Sequence, residues 1–121
     1  MTERIVRELA LSPDLIRAYS RRGNFHTEAD DAAALGLPGL VAQGTQVCGP
    51  AYGALLDRWG ESFLDHGSLD LRFVGMAVDN DCVRATVEID GATASITVDN
   101  TSAGRTAALG SAVLDHRNIR R

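Results

Sequence analysis

Apolar and polar positions are patterned differently in the two halves of the chain. From Ser68 onward, LDLRFV, CVRATVEI, ATASITVDN and GRTAALGSAVL are rich in β-branched and aromatic residues and are separated by DND, DG and TSAG. Such runs between turn-forming clusters predict strands in antiparallel order. Upstream, ERIVRELAL carries Ile5, Leu9 and Leu11 interrupted by charge, which predicts an opening strand. Ser12 reads as an N-cap with Pro13 and Asp14 in the first turn, starting a helix over PDLIRAYSRR whose apolar face is Leu15, Ile16 and Tyr19 and which Gly23 can close. Thr27 can cap a second short helix, EADDAAAL, ending at Gly36, and LPGLVAQG follows as a loop. In GTQVCGPAYGALLDRWG, Val47, Ala51, Leu55 and Leu56 fall at helical spacing. Gly49, Pro50 and Gly53 would weaken that helix, so they predict a kink at Pro50 and either close backbone packing or room for a ligand. A strand, then helices, then a run of strands is an α+β order.

Composition narrows the function classes. At 121 residues the chain makes one domain, 1–121, with no repeat or linker visible. A formal charge of −4 and a pI near 5.2 argue against a nucleic-acid partner, which needs a basic surface to displace counterions. All 12 basic residues are Arg. With no Lys, Schiff-base chemistry and a phosphate-cradling P-loop lysine are excluded. Arg117, Arg120 and Arg121 form a basic cluster that reads as a solvated end. Cys48 and Cys82 lack metal or redox spacing and read as buried thiols, so no metal or cofactor is expected. No run approaches the ~20 apolar residues of a membrane span, and a cytoplasmic protein is expected. Trp59, Phe63 and Phe73 are expected in the core.

Candidate chemistry concentrates between Asn24 and Leu56. His26 can serve as acid or base. Gly44 would present a backbone N–H near the start of the central helix, where an acyl oxygen can be polarised. Glu28, Asp30 and Asp31 read as a solvated, dipole-favoured first turn, although one of them could also serve as a carboxylate. Arg21 and Arg22 beside a cleft could meet a phosphate or carboxylate of an acyl carrier. His66 and His116 have no motif around them.

Four segments together resemble the MaoC-like dehydratases and (R)-specific enoyl-CoA hydratases. These are the helix ending in Tyr19 and Ser20, the HTE of His26 to Glu28, the passage AAALGLPGLVAQG into the central helix, and the LRFV that begins the later sheet. The resemblance covers nearly the whole chain and implies a single α+β hotdog domain, a curved antiparallel sheet wrapped around a central helix. In that family a catalytic Asp stands five residues before the His, in a G-D-x-N-P-x-H loop. Here that count reaches Arg21; a shortened loop that matches Gly23 to the family glycine puts Asn24 in the Asp position instead. Neither supplies a carboxylate, and Asn cannot accept a proton as a general base. Gln43 replaces the His common in the family's A-H-G passage and is expected to hydrogen-bond a loop or ligand.

The resemblance implies a hydratase or dehydratase acting on a β-hydroxyacyl or enoyl thioester of coenzyme A or acyl carrier protein. His26 would be acid and base, Asn24 would orient a water or substrate hydroxyl, and Gly44, Gln43 and Arg21 would contact substrate. Two alternatives stay open: a non-catalytic hotdog subunit completing a heteromeric hydratase, and a specialised-metabolism cyclase, isomerase or thioesterase using the same acyl pocket. A homodimer, or a heterodimer with another hotdog chain, is implied in the same way.

Overall fold

The computed structural model describes residues 2–19, 26 and 28–115. Five strands form one antiparallel sheet: β1 (Glu3–Ala10), β2 (Gly67–Phe73), β3 (Cys82–Asp90), β4 (Thr93–Asn100) and β5 (Arg105–Leu114), in the order β1-β3-β4-β5-β2. Between β1 and β2 run α1 (Pro13–Tyr19), α2 (Ala29–Ala34), α3 (Gly44–Val47), α4 (Gly49–Trp59) and α5 (Glu61–His66). All five strand expectations hold. The alternation places Val83, Val87, Ile96, Val98 and Leu114 on the inner face, where they pack against Ala51, Ala54 and Leu55 of α4. Alanine on the helix side lets its backbone come close to the sheet, so a sheet this small can cover it. The chain is an α+β hotdog domain.

Several local expectations need correction. The Ser12 hydroxyl does cap α1, accepting from the Leu15 N–H at 3.1 Å, but α1 is described only to Tyr19. Its continuation to Gly23, the Thr27 cap and the basic cluster of Arg117, Arg120 and Arg121 lie outside the described residues, as does His116. Glu28 occupies the N-cap position of α2 in extended conformation, with no side-chain cap bond. The central helix breaks at Cys48, just before Gly49 and Pro50. Pro50, lacking an N–H, cannot continue the ladder back to Gln46. Around Gly49 and Gly53 no heavy atom lies within 4 Å of where a Cβ would sit, so these glycines leave room instead of allowing close packing.

The helix α5 was not legible, because six residues are too few to show a period and its one buried side chain is Phe63. Phe63 lies 5.7 Å from Trp59 and 5.5 Å from Tyr52 between ring centroids, and Trp59 and Phe63 are core as expected. Phe73 is not: it stands at the end of an edge strand and is 53% exposed. Cys48 is buried, and burial pushes its thiol up to about 11, whereas Cys82 is only half-buried.

Two loops are stitched together beside the central helix. Val41 bridges Val78, the Ala42 N–H donates to Ala77 O (2.8 Å), and the Asp79 carboxylate accepts from the Leu40 N–H (3.1 Å). Behind them, fully buried Asn100 donates to Asp81 Oδ2 (2.8 Å) and accepts from the Ala103 N–H (3.0 Å). A register shift between Val98 and Asp99 turns the Ala107 carbonyl to accept from the Val74 and Gly75 amides at 2.9 and 3.1 Å. That bulge sets where the chain leaves β2, and therefore where Phe73 sits.

Candidate functional site

The N-terminal end of α3 is the focus of the site. Gln43, in extended conformation, offers its carbonyl to the N–H groups of Gln46 (3.0 Å) and Val47 (3.1 Å), and Cys48 bonds to the Gly44 carbonyl (3.0 Å). The amides of Gly44 and Thr45 have no acceptor among the described residues, as the opening of a helical turn dictates. Both residues line a cavity of about 790 Å³ together with Val41, Gln43, Phe73 and Arg105. Arg105 is its one charged lining residue among those described, and it makes no ion pair with them.

His26 reaches the wall of this cavity from outside it. Its Nδ1 hydrogen-bonds the Val41 carbonyl. A carbonyl can only accept, so Nδ1 donates here, and in a neutral ring with that tautomer the basic nitrogen is Nε2. The stitched loops hold Val41, so backbone structure sets the tautomer of a half-buried imidazole.

On the other side of Thr45 and Phe73 lies a second cavity, of about 740 Å³, walled by Leu9, Leu15, Tyr52, Leu69 and Leu71. Its lining is mainly apolar, the form of a site for a hydrocarbon chain. Polar groups in its wall are paired to each other: the Tyr19 hydroxyl donates to Thr45 Oγ1 at 2.8 Å, and the Gln46 side-chain amide donates to the Leu15 carbonyl at 3.0 Å. The latter bond ties α1 to α3. Among the described residues Gln46 Oε1 has no partner, although the residue is buried.

Of the residues singled out from sequence, Gly44 and Gln43 thus share one cavity, and His26 touches its wall through Val41. Gln43 is half-buried, and its side chain makes no hydrogen bond among the described residues; the expected bond to a loop is not found there. Asn24 and Arg21 lie outside the described residues. Glu28, Asp30 and Asp31 are exposed, as expected of a solvated first turn. Thr45, Phe73 and Arg105 escaped sequence reasoning. Only Phe73 carried a signal, its place within the LRFV segment, and an aromatic there is expected in the core. Among the described residues no group of His, Cys, Asp and Glu is placed to hold a metal ion, and no helix is long and apolar enough to cross a membrane.

No protein-family model matches the sequence. No curated protein sequence matches it either. Solved structures do match. The (R)-hydratase from A. caviae involved in PHA biosynthesis superposes with a TM-score of 0.72 at 16% identity, over 92% of each chain. The C-terminally truncated HadBC (3R-hydroxyacyl-ACP dehydratase) complex from Mycobacterium tuberculosis matches with a TM-score of 0.68 at 18% identity, over 94% of this chain and 93% of that one. A MaoC-like dehydratase from Phytophthora capsici gives 0.74 at 14% identity, over 91% of this chain and 40% of that one. At such identities the likeness is one of fold, and it is the fold that the sequence resemblance implied: this chain has the hotdog fold of the MaoC-like dehydratases and (R)-hydratases.

Proposed function

We propose that the chain is a hydratase or dehydratase of an enoyl or β-hydroxyacyl thioester, with His26 as its acid and base. The observation that carries this reading is the juxtaposition of two open amides, Gly44 and Thr45, with the imidazole that rests on Val41 and with an apolar cavity across Thr45. In hydration, His26 Nε2 takes a proton from water as the water oxygen adds to C3 of the enoyl thioester. The electron pair moves to the thioester oxygen, where the Gly44 and Thr45 amides stabilise it. The imidazolium then returns its proton to C2, so that one water adds across the double bond and the histidine is restored. In dehydration the same steps run backwards. Asn24 orients the water in this scheme, and the acyl chain occupies the apolar cavity. Arg105, together with Arg21, attracts the phosphate-bearing arm of coenzyme A or acyl carrier protein.

The test is a mass-spectrometric assay of the purified chain with crotonyl-CoA and longer enoyl-CoA substrates, following the gain of one water. His26→Ala should lower turnover by about 10²–10⁴-fold, the range of a lost general acid and base, without unfolding the chain. Asn24→Ala should cost less. Full activity in His26→Ala would eliminate the mechanism.

A second reading rests on the missing carboxylate, since Arg21 or Asn24 stands where the family Asp would be. In this reading the chain is a hotdog subunit that completes a heteromeric dehydratase, an arrangement like that of the similar HadBC complex. Silence of the pure chain, together with co-purification of a second hotdog chain bearing the intact motif, would favour it.

A further inference from the structure

Two residues, Thr45 and Phe73, line both large cavities and so form the wall between them. Thr45 is held by the Tyr19 hydroxyl. Phe73 is placed differently. Its backbone is anchored by the β2–β5 pairing with Ala108 and by the turn onto the Ala107 carbonyl, yet its side chain is half exposed and apolar. The ring packs against the one glycine that opens α3. A Cβ built on Gly44 would fall 2.8 Å from Cε1 and 2.9 Å from Cζ of that ring. The ring can take this position because residue 44 has no side chain.

We propose that Phe73 is a specificity-determining residue, a steric filter at the neck between the cavity holding the thioester and the cavity holding the acyl chain. This rests on the thioester reading above. If the thioester oxygen lies on the Gly44 and Thr45 amides, the first acyl carbons must pass between Thr45 and the Phe73 ring to reach the apolar cavity. The space beyond it is large, about 740 Å³. The substrate class that follows is a thioester unbranched at C2, with free choice of bulk farther along the chain. A methyl branch at C2 would meet the ring where the Gly44 backbone leaves no room to retreat.

Equilibrium binding tests this without requiring turnover, using octanoyl-CoA and 2-methyloctanoyl-CoA, which cannot be hydrated. The unaltered chain should bind the straight thioester about tenfold or more tightly than the branched one, within the roughly 10–200-fold that one methyl group can command in an apolar site. Phe73→Ala should bring the two affinities within about twofold, chiefly by improving the branched ligand, and Phe73→Trp should widen the gap. Truncating a half-exposed ring at a strand end should leave the fold intact, which circular dichroism would verify. An unchanged ratio in both variants would overturn the filter while leaving the thioester reading in place. Failure of the unaltered chain to bind either thioester would overturn both.

Discussion

Replacing Gly110 with alanine should loosen the edge strand that walls the apolar cavity, and the structure permits a magnitude. Gly110 faces Leu71 in the middle of the β2–β5 ladder. A Cβ there would lie 1.9 Å from the Asp70 carbonyl oxygen and 2.9 Å from both the Asp70 carbonyl carbon and Leu71 Cα, against 3.4 Å for an ordinary contact. The obstacle is backbone, which has no rotamer to adopt, so β2 must move away by roughly an ångström or more, enough to break hydrogen bonds whose lengths vary by only a few tenths. Losing two or three ladder bonds at about 1 kcal/mol each costs about 2–3 kcal/mol. The smaller entropy of an unfolded chain with alanine returns about 0.4–1 kcal/mol. A net loss of about 2 kcal/mol should appear in urea unfolding followed by the fluorescence of Trp59. Gly53→Ala is the internal control. Gly53 lies within α4 with nothing within 4 Å of its missing Cβ, so helix propensity alone should stabilise the chain by about 1 kcal/mol. Equal stability of Gly110→Ala and the unaltered chain, or a loss in Gly53→Ala as large as in Gly110→Ala, would refute the packing argument.

Three further outcomes are expected beside those for His26 and Phe73. Alkylation at pH 8 should label half-buried Cys82 and spare Cys48 until the chain unfolds, because burial keeps the Cys48 thiol neutral. Since the folded value is raised from 9.0 to about 11, this stabilisation is fully present below pH 9 and is lost as pH rises through 11. The loss should be roughly 3 kcal/mol, measurable as unfolding free energy across that window and absent in Cys48→Ala. Arg105→Ala should raise KM for acyl-CoA by roughly 3–10-fold with little change in kcat, the size expected of one exposed charge, and should leave a phosphate-free pantetheine thioester unaffected. An equal effect on both thioesters would remove Arg105 from the carrier subsite.

Strand alternation, the Ser12 cap and the glycine stops are local signals, and local signals determined most of the architecture. Side chains two apart share a face whatever lies beyond the strand, so Val83, Val87 and Ile96 could be assigned to the core from pattern alone. Positive φ at Gly36, Gly91 and Gly104 fell at or beside element ends for the same reason: only the local backbone is involved. His26 and Gly44 could be named as candidates because the family passage marks them.

Tertiary structure alone decided what those residues face. Asp79 and Asp81 look like ordinary turn residues, yet their carboxylates tie residues from three separate segments into the frame behind Val41. Arg105 is 61 positions from Gly44 in sequence, and the β4–β5 pairing, with its bulge close beside Arg105, brings it to the same cavity. Phe73 was misread for a related reason. An aromatic ring in a strand is normally driven inward by the area it can bury, but strand order puts β2 at the edge, and an edge has no neighbour to bury it. Sequence carries which faces are apolar; which strand becomes the edge, and therefore which apolar side chain is left to shape a site, depends on pairings between residues far apart in the chain.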